Sequence, residues 1–303
     1  MSSKKPIFKD SFKDYFSGLL GDELNDFIES CKKPLPESIR VNKLKILPLD
    51  LKKNLESKGW VLENVPFYDS AFIVKKRPIS LGNALEHFLG QFYVQEQSSM
   101  IPPLVLNPGL NDVVLDACAS PGSKTTQLSE MMKNAGVIVA NDLGIGRISI
   151  LSANIDRMGC RNVVVSNGDG KRFGNHPNFF DKILLDAPCT GYGAIRKDWS
   201  IAKMFNPKSY KFLANIQKSL LKTCWKSLNP GGELVYSTCT LTKEENEDNV
   251  VDFLNSTPDA KIEKINLKGF EKHRGINLNE AIRIWPHRID MEGFFIAKLV
   301  KKK

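Results

Sequence analysis

The stretch Val113–Lys124, VVLDACASPGSK, decides the fold. Val113, Val114 and Leu115 are apolar without alternation, the pattern of a strand buried on both faces of a parallel sheet. Asp116 marks the carboxyl end of that strand, where open α/β sheets bind their ligands. Ala117 to Ser123 are small enough to let the backbone approach a ligand closely. Pro121-Gly122 predicts a turn, and Thr125 to Met132 a helix.

Counting excludes two familiar loops. A dinucleotide fingerprint, G-x-G-x-x-G, needs several glycines, and only Gly122 is present. A phosphate-binding P-loop needs glycine six positions and one position before its lysine, where Cys118 and Ser123 precede Lys124. A strand, an acidic residue and a small-residue loop remain. They suit a nucleoside without a phosphate chain, S-adenosylmethionine being the leading candidate.

The 303 residues suffice for two domains, or for one large domain with an extension, and the 42% apolar content supports a full core. Lys and Arg number 43 against 34 Asp and Glu, a net charge of +9. An acidic partner is expected, nucleic acid being the usual one, although a solvated lysine-rich surface accounts for the charge as well. No apolar run reaches the length of a membrane span, and the opening MSSKKPIFKD lacks a signal-peptide core. The six cysteines show no C-x-x-C spacing and the four histidines are isolated, so neither a metal site nor a disulfide scaffold is expected. A reducing cytoplasm is the expected compartment.

Along the chain, residues 10–31 predict two helices, with Asp22 capping the second. Ser38–Val41 predicts a strand, Pro48–Lys58 a helix, and Trp60–Lys75 one or two strands. Residues 1–85 form an α+β module of a size that suits RNA binding or passive packing. Residues 82–106 read as a helical bridge. The second domain, residues 86–303, alternates strands and helices, which predicts a doubly wound, Rossmann-like α/β sheet. Its further strands are Val137–Ala140, Asn162–Ser166, Asp181–Leu185 and Gly232–Ser237, with Arg283–Trp285 and Phe294–Val300 as a closing antiparallel pair. Asp116, Asp142, Asp169 and Asp186 all stand just beyond strands, which chance helix capping explains poorly. Asp142 can accept both ribose hydroxyls, and Asp169 an adenine amino group.

Cys189 and Cys239 follow two strands predicted to be central and so reach the same rim. A thiolate beside a methyl donor suggests methylation of carbon 5 of a pyrimidine, which is too poor a nucleophile to take a methyl group directly. Addition of the thiolate to carbon 6 makes the ring an enamine, and carbon 5 can then attack. Asp186 is placed to stabilise the adduct near the ring nitrogen. Amino-group methylation would favour Asp/Asn-Pro-Pro-Tyr/Phe where the chain has Asp186-Ala187-Pro188-Cys189. Thr242 with Glu245 fits a capping box, and Asn246 and Glu247 are candidates to support the Cys239 loop.

From Arg40 onward the chain resembles the NOL1/NOP2/Sun family of RNA cytosine-5 methyltransferases, and it is closest in size to the archaeal tRNA-modifying members. The resemblance rests on Arg40-Val41-Asn42, CASPGSK at Cys118–Lys124, Asn141-Asp142, Gly168-Asp169, LLDAPC at Leu184–Cys189, STC at Ser237–Cys239, EENE at Glu244–Glu247 and GFFIAKL at Gly293–Leu299. It implies a class I methyltransferase sheet with Cys239 as nucleophile and Cys189 assisting release of the product. Cys118, Ala119, Ser120, Pro121, Gly122, Ser123 and Lys124 would hold the methionine part of S-adenosylmethionine, with Lys124 also near the target base. Asp142 and Arg147 would serve the ribose, Asp169 the adenine, and Asp186 both cofactor and cytosine. Ser120 and Ser123 stand where Ala and Gly are usual; Tyr192 and Trp199 stand where smaller or proline residues are common. The resemblance further implies an RNA partner, with tRNA favoured, rRNA the alternative, and an RNA-binding ribosome-assembly factor a reading of another class. A monomer is expected. Arg40, Asn42, Arg196 and Lys197 are candidates either for packing or for contact with RNA.

Overall fold

A computed structural model describes residues 7–303; the first six residues of the expected N-terminal module, and of the stretch read for a signal peptide, lie outside them. Helices α1 (Asp10–Leu20) and α2 (Leu24–Cys31) flank a 3-10 turn at Gly21–Glu23. Asp22 lies inside that turn, and Glu23 is the N-cap of α2 with no side-chain bond, so the expected Asp22 cap is not made. The buried face of the pair, Phe12, Phe16 and Phe27, packs on Phe205 and Trp285 from the second half of the chain.

The first sheet contains β1 (Ser38–Val41), β2 (Val61–Asn64), β3 (Ala71–Lys76) and β4 (Phe92–Val94) in the order β2-β3-β1-β4, all antiparallel. Helix α3 (Pro48–Ser57) lays Leu51 and Leu55 against Ile39, Trp60 and Phe72. The expected helical bridge over 82–106 is instead broken into α4 (Leu85–Phe88), β4, a 3-10 turn at Ser98–Met100 and α5 (Ile101–Leu106). Gly90, at φ 67°, stops α4, and a Cβ there would lie 1.9 Å from the Arg157 carbonyl oxygen. Because β4 pairs with β1, we place the division after Val94 instead of after residue 85.

The large sheet contains β5 (Val113–Asp116), β6 (Val137–Asp142), β7 (Val163–Asn167), β8 (Phe180–Asp186), β9 (Leu228–Thr238), β10 (Ala260–Glu263), β11 (Arg274–Gly275), β12 (Leu278–Ile284) and β13 (Phe294–Lys301). Its order is β11-β12-β13-β9-β8-β5-β6-β7, with β10 beside β13. Strands β5 to β9 are parallel, and β13 runs antiparallel to both β9 and β12. Helices α6 (Ser123–Met131), α7 (Ile145–Met158), α8 (Pro207–Ser227) and α9 (Glu247–Ser256) complete this α/β class I methyltransferase fold.

Neighbouring residues of each central strand enter opposite cores. Leu115, Leu185 and Tyr236 pack with Leu221 and Trp225 of α8, whereas Val114, Leu184 and Val235 pack with Ile101 of α5 and Leu128 of α6. This two-sided burial is why the strands read as unbroken apolar runs. The chain passes from β5 to β6 on one side and has β8 on the other, so the carboxyl ends of these strands flank a topological switch point.

Candidate active site

The loop after β5 is tied down by its own backbone. Ala119 N–H donates to the Asn141 carbonyl at 2.8 Å, and Ser120 N–H donates to Asp142 Oδ2 at 3.1 Å. Pro121 O accepts from Asn154 Nδ2 at 2.9 Å. Gly122, at φ 102°, makes the turn into α6, where a Cβ would sit 3.0 Å from Leu151 Cδ1. Asp142 also accepts from Gly144 N–H at 3.3 Å and pairs with Arg147 Nε at 3.0 Å. Arg147 in turn donates to Ser120 O at 3.0 Å, while Ser120 Oγ donates to Arg147 O at 2.9 Å.

The four strand-end carboxylates are not equivalent. Asp116 is 1% exposed, accepts from Thr125 Oγ1 at 2.7 Å, and is pushed by burial up to about 7. It lies under the loop, not at the rim. Asp169 is exposed and accepts from Lys171 N–H at 3.0 Å, so it does cap the turn that follows. Asn141 Nδ2 bridges the carbonyls of Ala117 and Gly168, joining the first loop to the third. Cys118 packs on the α8 side of the core, with burial raising its thiol. A small-residue loop between Asp142 and Asp186, with Asp169 farther along the rim, fits a nucleoside bearing an amino-acid tail.

Lys124 reaches from α6 to place Nζ 2.6 Å from Asp186 Oδ2 and 5.4 Å from the centre of the Phe294 ring. Burial lowers the proton affinity of this amine, but the charge and hydrogen bond of Asp186 outweigh it and hold the ammonium above its ordinary value. Ser237 Oγ donates to Asp186 Oδ1 at 2.7 Å.

Beside this pair, the Sγ atoms of Cys189 and Cys239 lie 3.3 Å apart. The hydrogen bond with Cys239, reinforced by burial, pushes the Cys189 thiol well up. The residues that follow the two cysteines are also paired, Thr190 Oγ1 to Thr240 Oγ1 at 2.7 Å. Glu245, fully buried, accepts from Thr190 N–H at 3.0 Å, Thr190 Oγ1 at 2.6 Å, Gln217 Nε2 at 3.0 Å and Thr242 Oγ1 at 2.7 Å.

The expected capping box is therefore not formed: α9 begins at Glu247, and Glu245 clamps the Cys189 loop to the Cys239 loop. Asn246 accepts from Thr238 Oγ1 at 2.6 Å and donates to Thr240 O at 3.0 Å, bracketing Cys239. Glu247 pairs with the buried Arg283, which donates to Leu241 O at 2.9 Å. Thr190 and Gly193 carried no signal in the sequence beyond their nearness to Cys189. Gly193 N–H donates to Cys239 O at 2.9 Å, and Gly293 N–H to Gly193 O at 3.1 Å.

The remaining candidates resolve by burial. Arg40, fully buried, donates to Gln95 Oε1 at 2.8 Å, Ser123 O at 2.6 Å and Thr126 Oγ1 at 2.8 Å. Asn42 donates to the carbonyls of Gly90 and Met158. Arg196 is spent on Pro34 O, Met291 O and Asp290. These three pack; Lys197 is exposed. Tyr192, buried, packs its ring against that of Phe205 at a tilt and belongs to the core beneath α1. Among the described residues no group of His, Cys, Asp and Glu forms a metal site, and no helix is long and apolar enough to cross a membrane.

The family profile described as 16S rRNA methyltransferase RsmB/F matches residues 103–300, and the profile for the N-terminal domain of 16S rRNA methyltransferase RsmF matches residues 8–97. The ribosomal RNA small subunit methyltransferase F of Vibrio parahaemolyticus is 44% identical over 301 residues, a match covering 96% of this chain and 63% of the relative. Its counterpart in Shewanella loihica is 42% identical over 287 residues, covering 92% and 59%. The chain thus spans about three-fifths of the length of these curated relatives. A methyltransferase homolog from Pyrococcus horikoshii is 36% identical with a TM-score of 0.88, covering 97% of this chain and 95% of that one. NSun6 from the same organism, solved with SFG, an S-adenosylmethionine analogue, is 27% identical with a TM-score of 0.90, covering 98% and 99%. With the catalytic sheet matched throughout and the cysteine pair in place, the chain belongs to the RsmB/F family of methyltransferases, within the NOL1/NOP2/Sun family.

Proposed function

We propose that this chain methylates carbon 5 of cytosine in RNA, and that the RNA is ribosomal. The observation that carries the chemistry is the 3.3 Å approach of Cys189 and Cys239 beside the Lys124–Asp186 pair. The names of the relatives favour small-subunit rRNA, and they displace the tRNA expected from chain size. S-adenosylmethionine, the methyl donor of the family, supplies the methyl group from its sulfonium. Cys118 to Lys124 would hold its amino-acid end, Asp142 and Arg147 the ribose, and Asp169 the adenine.

Cys239 is the nucleophile that adds to carbon 6, the role that the family resemblance gives to the cysteine of Ser237-Thr238-Cys239, and Cys189 lies 3.3 Å from its sulfur. Lys124 and Asp186 lie beside the ring, fixed by Ser237 and Phe294. Cys189, beside the sulfur that carries the adduct, assists loss of the carbon 5 proton and release of the base. The target must be unstacked for a thiolate to reach carbon 6.

Purified protein is supplied with methyl-labelled donor and small-subunit rRNA, free or in assembled subunits, or with tRNA, and nucleosides are read by mass spectrometry. Labelled 5-methylcytidine in rRNA is expected. Label in tRNA alone reverses the substrate assignment, and label on another atom rejects the reaction.

A further inference from the structure

Helix α8 carries Lys208, Lys211, Lys218, Lys222 and Lys226 and neither Asp nor Glu, in a chain whose whole net charge is +9. At roughly 100° per residue the five lysines fall within an arc of about 80°. The opposite side of the helix, with Ala214, Gln217, Leu221 and Cys224, is buried against the large sheet. The lysine arc is what the neighbouring segments leave open. On one side α9 reaches as far as Lys218, whose Nζ pairs with Asp252 at 2.6 Å. On the other, the 3-10 turn Gly170–Asn175 packs at Leu220 and Thr223. Lys208, Lys211, Lys222 and Lys226 stand exposed between them, and of the five only Lys218 finds a carboxylate among the described residues. Phe212, 65% exposed, shares this strip.

The arrangement works against the helix. Lys208 lies in the first turn and Lys211 just beyond it, where the positive end of the helix dipole repels them. Lys218, Lys222 and Lys226 follow one another at the i,i+4 spacing at which like charges destabilise. Nothing in the fold offsets this repulsion, whereas a polyanion laid along the strip would. The strip also leads away from the active site. At the head of α8, Asn206 N–H donates to Tyr192 Oη at 3.0 Å, and farther along Gln217 Nε2 donates to Pro188 O at 2.8 Å, so the helix is tied to the chain on both sides of Cys189. From there Lys208 to Lys226 runs about 27 Å at roughly 1.5 Å per residue. Its far end borders a cleft of about 410 Å3 lined by Lys222, Lys226 and Trp225.

We propose that the exposed strip of α8 binds the phosphate backbone of the substrate RNA beside the target nucleotide. Lys208, Lys211, Lys222 and Lys226 face phosphates, and Phe212 offers its ring to a base. The proposal rests on the reading of RNA as the substrate. Each neutralised phosphate releases counterions, so the salt dependence of binding counts the contacts. An exposed ring stacks on a base of any identity. The strip therefore gives the strand affinity and direction and leaves the choice of base to the active site.

The test compares wild type with two fourfold variants of the full chain. One combines Lys208→Ala, Lys211→Ala, Lys222→Ala and Lys226→Ala. The other combines Lys261→Ala, Lys264→Ala, Lys268→Ala and Lys272→Ala, which removes equal charge from the exposed positions of a segment whose Ile265, Leu267 and Phe270 cover the other face of the large sheet. Binding of small-subunit rRNA is followed by fluorescence anisotropy over a series of salt concentrations, alongside methylation kinetics. The α8 variant should bind about tenfold more weakly or worse near 0.1 M salt, with the slope of log affinity against log salt shallower by about 3. Its KM for RNA should rise at unchanged kcat, and its melting temperature should not fall, because alanine favours the helix. The control variant should stay within about twofold of wild type. An α8 variant with unchanged affinity and slope overturns the proposal and leaves the strip to an acidic protein or to solvent. An equal loss in both variants overturns it as well, since net charge alone then explains the binding. A wild type that binds rRNA through the strip but makes no 5-methylcytidine keeps the surface and rejects the methylation reading; one that binds no RNA rejects both.

Discussion

Gly193 has no room for a side chain. A Cβ there would fall 2.0 Å from the Gly293 carbonyl oxygen and 2.7 Å from that of Cys239, both backbone atoms of the loops that frame the nucleophile. Gly193→Ala must part those loops, at a cost of roughly 1–3 kcal/mol of stability, the range for overpacking a tight site. We expect a lower melting temperature and at least a tenfold lower methylation rate; an unchanged rate would show that the loops are freer than their packing indicates. At this scale the sequence was informative about chemistry and silent about support. Cys189 and Cys239 were legible as strand-end thiols because the strands beneath them were. Glu245 was misread, because the Thr242-to-Glu245 spacing suits a capping box equally well, and only the tertiary fold brings Thr190 and Gln217 to that carboxylate.

Between elements, the central joint is β1 against α6. Arg40 of β1 inserts its guanidinium at the start of α6 and binds Ser123 O and Thr126, while Glu130, also fully buried, lies 4.0 Å from its Nε. Arg40→Met leaves the carboxylate short of a partner and frees the helix end that carries Lys124. Lys43 Nζ stays 3.1 Å from that carboxylate, so stability should fall by about 1–3 kcal/mol, the cost of buried hydrogen-bonding groups left without partners, and calorimetry should find weaker binding of S-adenosylmethionine. A variant with wild-type melting temperature and affinity would show that the first sheet is only a neighbour. The parallel strands β5 to β8 were legible to within two residues, since burial on both faces leaves an unbroken apolar run, whereas β9 begins at Leu228, four residues before the expected Gly232, because Asn229-Pro230-Gly231 reads as a turn. The strand β4 was hidden by its three-residue length, and β10 and β11 by their polar residues at the sheet's margin.

At the scale of the whole molecule, an antiparallel sheet, a mixed sheet and a helical pair converge on one rim: the first sheet through Arg40, α1 and α2 through Phe205 and Trp285, and the large sheet through its strand ends. The net charge of +9 gives this body a general attraction for RNA but selects no cytosine. Selection of the reacting atom falls to the two thiols. The most direct measurement is a denaturing gel of the protein after incubation with rRNA and S-adenosylmethionine, for wild type, Cys189→Ala and Cys239→Ala. The account predicts a trapped protein–RNA adduct in Cys189→Ala, and neither adduct nor 5-methylcytidine in Cys239→Ala. Methylation that survives in Cys239→Ala, or an adduct that forms without that sulfur, would contradict it.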